Sequence, residues 1–157
     1  MDNRFRTNVE ALHPCFERLT AMAPVTVLTL PPERGMPAQG VYLFSEGERH
    51  LYAGRTKRLR QRLQEHGRPS SGHNTAPFAF LLAREETGRK TATYQTSGSR
   101  GELEADPRFA VAFMAAKQRV HAMDIRFVEQ TDPLRQALLE IYVAVALQTP
   151  YNDFDTH

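Results

Sequence analysis

The stretch GVYLFSEGERHLYAGRTKRLRQRLQEH, residues 40 to 66, decides the reading of this chain. Gly40–Phe44 is rich in β-branched and aromatic residues and predicts a strand. Ser45–Glu48 contains Gly47 and predicts a turn, and His50–Ala53 a returning strand, so the segment reads as a β-hairpin that Gly54 ends. Leu59 and Leu63, set among basic residues, predict a helix from about Lys57 to His66.

Working outward, apolar residues at Val9, Leu12, Phe16, Leu19 and Met22 follow helical spacing. They predict a helix over Asn8–Met22 that Pro14 starts or kinks. Val25–Leu30 alternates as a strand would, before a loop rich in proline. Downstream, residues 67 to 77 read as a loop, and Phe78–Ala83 as a short apolar element, helix or strand. Glu85–Gly101 is a polar segment with one weak strand signal at Thr91–Gln95. Asp106-Pro107 and Asp132-Pro133 are helix starts with proline in the first turn. They open helices over Phe109–Val120 and Leu134–Leu147, the second stopped by Pro150. Between them Met123–Glu129 alternates as a strand. The expectation is a small α/β (α+β) domain with a mostly antiparallel sheet flanked by helices. Residues 1–37 would add an N-terminal helix and an extra strand to a body spanning 38–157, one compact domain overall.

The 157 residues are 41% hydrophobic, enough for a core. A net charge of +2 does not announce a nucleic-acid binder. Its distribution is more telling, because Arg55, Lys57, Arg58, Arg60, Arg62 and Arg68 crowd one segment while Glu102–Asp106 is acidic. Polarised positive charge attracts a phosphate backbone. A single cysteine, Cys15, excludes an intrachain disulfide and reads as a packed thiol in a reducing compartment. No apolar run approaches the roughly 20 residues of a membrane span. The polar start is unlike a signal peptide, so the expected location is cytoplasmic, with no membrane partner.

Three groups of residues invite a chemical reading beside an ordinary one. Glu140 lies in the apolar run ALLEIYV, where a carboxylate needs a partner; it is either ion-paired or a metal ligand. Tyr42 and Tyr52 would project from one face of the hairpin, as plain strand residues or as two phenols near a phosphate. Arg62 and His66 share a helix face, as a solvated basic surface or as a phosphate clamp and a proton-transfer group. His73 and Asn74 sit in the following loop.

Taken in order, these residues resemble the GIY-YIG nuclease superfamily. The two signature triplets correspond to Gly40-Val41-Tyr42 and Tyr52-Ala53-Gly54. A basic stretch follows at Arg55-Thr56-Lys57, then Leu59 and Arg62 in the pattern Leu-x-x-Arg. His66 and His73 stand where some branches carry histidine. Glu140 on a late helix and Pro150-Tyr151-Asn152 resemble the tail of the nuclease module of the bacterial excision-repair incision enzyme. The likeness covers residues 38 to 154. Val41 and Ala53 replace the usual central residues, and the segment from His66 to Glu129 is longer than in minimal members.

The resemblance implies a metal-dependent DNA endonuclease, a hydrolase with Mg²⁺ (or Mn²⁺) on Glu140. Arg62 would contact the scissile phosphate. Tyr52, supported by Tyr42, would help deprotonate water, with Arg55 or His66 lowering the phenol's pKa. Asn152 would orient Glu140 or substrate. Arg55, Lys57, Arg58, His73 and Asn74 would bind DNA, and double-strand cutting would call for a homodimer, a partner protein or two successive nicks. The alternative is a non-catalytic nucleic-acid-binding module on the same fold.

Overall fold

A computed structural model describes residues 1–88 and 100–154. The strand signal at Thr91–Gln95 lies outside the described residues. The chain divides into two compact units. One is Met1–Arg60 with Met123–His157, the other Gln61–Ala122. Residues 1–37, the expected N-terminal addition, belong to the first unit.

In the first unit a three-stranded antiparallel sheet has β1 (Gly40–Glu46) in the centre, flanked by β2 (Arg49–Thr56) and β3 (Asp124–Glu129). The hairpin forms as the sequence predicts, with Gly47 at φ +60° supplying the left-handed turn residue. Gly54 does not end β2, which continues to Thr56. Its cross-strand partner explains the glycine. Tyr42 pairs with Gly54, and a Cβ there would sit 2.3 Å from both Cζ and Oη of the phenol.

Pairing places Tyr42, Phe44, Tyr52 and Phe127 on one face of the sheet. Tyr42 and Phe44 are buried edge-to-face, with centroids 5.7 Å apart. The opposite face carries Val41, Leu43, Ala53 and Val128. These pack on α2 (Leu12–Ala21) through Leu12, Cys15 and Leu19, and on α7 (Pro133–Leu147) through Leu139 and Val143. Cys15 is thus a core thiol, as its composition suggested.

The single helix expected over Asn8–Met22 is two, α1 (Asn3–Glu10) and α2, broken at Ala11. Asp2 caps α1 at Phe5 N, and the Pro14 ring would crowd the carbonyl of Glu10 in a continuous helix. Nor is Val25–Leu30 a strand. Only Val25 bridges Ile125, after which Thr26 and Thr29 exchange hydroxyl bonds and curl residues 27–29 into a 3₁₀ turn. Two prolines follow and prevent further pairing.

The helix α3 (Leu59–Gly67) begins in the first unit and ends in the second. Within the second, α4 (Pro77–Glu86) resolves the ambiguous apolar stretch as helix. It packs on α6 (Pro107–His121) through Phe80, Phe109 and Phe113, with Phe80 and Phe109 centroids 5.0 Å apart. A short α5 (Arg100–Ala105) precedes α6, which Asp106 caps at Arg108 N as Asp-Pro predicts. Asp132 caps α7 in the same way. Among the described residues no helix is long and apolar enough to cross a membrane.

Candidate active site

The first unit joins three of the expected residues on one side of its sheet. Arg55 is the cross-strand neighbour of Val41, so it emerges on the face that α7 covers. Glu140 lies on that helix one residue from the core position Leu139. The two meet, Arg55 Nε standing 2.9 Å from Glu140 Oε2. Both line an open cleft of roughly 430 Å³ with Thr56, Lys57, Pro133 and Gln136. Arg58 is exposed beside it, its N–H donating to Thr56 Oγ1 at 3.0 Å.

Partial burial pushes the Glu140 carboxyl above its usual pKa, and the Arg55 guanidinium opposes that shift without cancelling it. A carboxylate held this way gains from a second positive charge. Among the described residues no three His, Cys, Asp or Glu side chains gather to cage a metal. Mg²⁺ does not require such a cage. It keeps several waters and takes one or two carboxylates. One carboxylate on an open cleft, with an amide and a hydroxyl on the same walls, fits that demand.

Tyr42 and Tyr52 share a sheet face, as the sequence predicts, but it is the face opposite Arg55. Tyr42 is 1% exposed and packed over Gly54, whereas Tyr52 is half-buried on the edge strand β2.

Asn152 is engaged with backbone. Its Oδ1 accepts from Ala53 N–H and its Nδ2 donates to Ala53 O, both at 2.8 Å, while Thr149 Oγ1 donates to the same Oδ1 at 2.7 Å. Tyr151 N–H donates to Leu51 O. Gln148, in the left-handed conformation, ends α7 and turns the chain toward β2. The tail therefore satisfies the outer edge of β2 as another strand would. The asparagine expected to orient Glu140 or substrate anchors the strand that carries Arg55.

Arg62, His66, His73 and Asn74 belong to the second unit. Arg62 Nη1 donates to Thr75 O at 2.8 Å and pairs with Glu65 at 3.4 Å. His66 is fully buried, and burial, aided by Arg62, holds its pKa well below 6.5, so it is neutral at pH 7. His73 Nδ1 meets Glu104 Oε2 at 2.5 Å, tying the 68–76 loop to α5. Asn74 is exposed. Lys117, nearly buried, donates to the carbonyls of Pro69 and Ser71 and braces the same loop.

Two participants escaped the sequence reading. Glu104 is 31 residues from His73 and carries no local signal of that pairing. Gln136 could have been found, since it is a buried polar residue one turn before Glu140 in a mostly apolar helix. Compared with known protein families, curated proteins and solved structures, the chain matches none.

Proposed function

We propose that this protein is a divalent-metal-dependent endonuclease of the GIY-YIG kind that hydrolyses DNA phosphodiester bonds. The observation that carries the reading is the pairing of a half-buried carboxylate, Glu140, with Arg55 on the wall of an open cleft that also holds Lys57. Arg55, Lys57 and Arg58 supply the positive charge that a phosphate backbone seeks. Glu140 would hold Mg²⁺ or Mn²⁺, and the cation would offset charge on the scissile phosphate and the leaving 3′ oxygen.

Around that point the chain's own groups have distinct work. Arg55 is shared between Glu140 and an incoming phosphate, so substrate draws the guanidinium toward itself and leaves the carboxylate to the cation. A phosphate entering the cleft meets Arg55 and Glu140 on one face of β2, while Tyr52 lies on the other face and the tail closes the outer edge between them at Leu51 and Ala53. Asn152 acts at a distance, by holding β2 in register.

The test is supercoiled plasmid incubated with the full chain, with and without Mg²⁺. Wild type nicks only with metal, and Glu140→Gln lowers the rate by at least about 100-fold, as loss of a principal electrostatic group does. Equal cutting by Glu140→Gln would end the catalytic reading. DNA binding without any cutting by wild type would assign the fold a purely binding role.

A further inference from the structure

Gln136 lies one helical turn before Glu140 on α7, so both side chains address the same cleft. It is only 2% exposed. Its Nε2 donates to the Gln130 carbonyl at 2.5 Å and to Gln39 Oε1 at 3.2 Å. Two acceptors on one nitrogen fix the plane of the amide and hence the direction of its oxygen. Among the described residues Oε1 accepts no hydrogen bond.

The residue is nearly buried, yet Oε1 is not among the fully buried polar atoms that lack a partner, so it opens on the cleft, where water or a cation can reach it. Here the nitrogen end is doubly anchored while the oxygen end is kept available beside a carboxylate. Side-chain amide oxygens are established ligands of hard divalent cations. Being neutral, this one adds a donor without further charge repulsion against Glu140. We propose that Gln136 Oε1 is a second ligand of the cation held by Glu140, an inference that rests on the metal-dependent reading above. In that arrangement Gln39 and the Gln130 carbonyl are positioning groups. They orient the ligand through its nitrogen, as outer partners orient ligands in other metal sites.

Mn²⁺ titration of the full chain, followed by electron paramagnetic resonance, tests this without reference to cleavage. Gln136→Met removes the oxygen at similar volume and should weaken Mn²⁺ binding about 10-fold. Gln39→Ala keeps Oε1 and the Gln130 anchor but loses one positioning bond, and should weaken Mn²⁺ binding less than Gln136→Met does. Unchanged affinity in Gln136→Met, with binding lost in Glu140→Gln, would overturn the Gln136 assignment alone. A loss in Gln39→Ala as large as in Gln136→Met would overturn it too, by tracing the effect to loosened packing. Wild-type affinity in Glu140→Gln would remove the metal reading and this inference with it.

A measurement on wild type decides the matter should Gln136→Met fail to fold. During Mg²⁺ titration the side-chain carbonyl ¹³C of Gln136 should shift along the same saturation curve as that of Glu140. A Glu140 shift with a stationary Gln136 carbonyl rejects the ligand.

Discussion

Arg55 Nε lies 2.9 Å from Glu140 Oε2, joining the end of an edge strand to the middle of the longest apolar stretch of helix in the first unit. Neither residue explains the other in sequence. Arg55 looks like one more cation in a basic run, and Glu140 like an intruder in a core helix. Their contact gives the carboxylate a partner that half-exposed Arg55 can surrender, which a fully buried pair could not do without a large penalty.

That exposure sets the first expectation. With Arg55 48% exposed, the pair contributes about 0–1 kcal/mol to stability, so Arg55→Ala should unfold in urea close to wild type. Its cost should fall on DNA binding. The slope of log affinity against log salt should drop by about 1, the share of a single phosphate contact. An unaltered slope would remove Arg55 from the phosphate-binding surface.

Asn152 leads to the opposite pattern. Asn152→Ala leaves both Ala53 backbone groups without their partner, and at about 0.5–1.5 kcal/mol for each bond should cost roughly 1–3 kcal/mol. Asn152→Asp keeps the acceptor for Ala53 N–H and loses the donor to Ala53 O, and should fall between. Wild-type urea midpoints for both variants would show that the tail does not brace β2.

The Tyr42–Gly54 contact makes a third expectation. Gly54→Ala drives a methyl into the phenol ring and should destabilise by about 1–3 kcal/mol, the usual cost of overpacking. Tyr42→Phe retains the ring carbons and should not relieve it. In a Tyr42→Leu background the same alanine should cost clearly less. Additive losses in that cycle would mean the two sites are not in contact.

A fourth concerns acid. His66 is buried and neutral, its folded pKa depressed below the usual 6.5 by burial and by Arg62. The unfolded chain therefore binds the extra proton first. Stability from this group is fully present above the unfolded pKa and declines as pH falls through it toward the folded value. His66→Gln should flatten the stability profile between pH 7 and pH 5. In proton NMR the wild-type His66 ring should show no titration step at pH 6.5. A step there would place the ring in solvent.

The local elements were legible wherever chemistry is local. The hairpin followed from Gly47 between two β-prone runs, and α6 and α7 from Asp-Pro starts whose carboxylates cap the first turn. The misreadings share one cause, which is that their deciding partner lies far off in sequence. Gly54 looked like a strand end because its reason, the Tyr42 ring, stands across the hairpin. Val25–Leu30 alternates like a strand, yet β3 meets it only at Val25 before the threonine turn and prolines divert it.

The same division holds for the site. Sequence alone determined the residue types and their order, because triplet spacing, basic runs and a carboxylate in an apolar helix are properties of the chain. Tertiary structure decided which of them meet. It set Glu140 against Arg55 through the β2–β1 register and the packing of α7. It committed Asn152 to Ala53, and it made Gln136 a wall of the cleft. Side-chain direction in a strand alternates with every residue. Which face receives a helix, and so which residues share a site, is settled only when the buried faces pack.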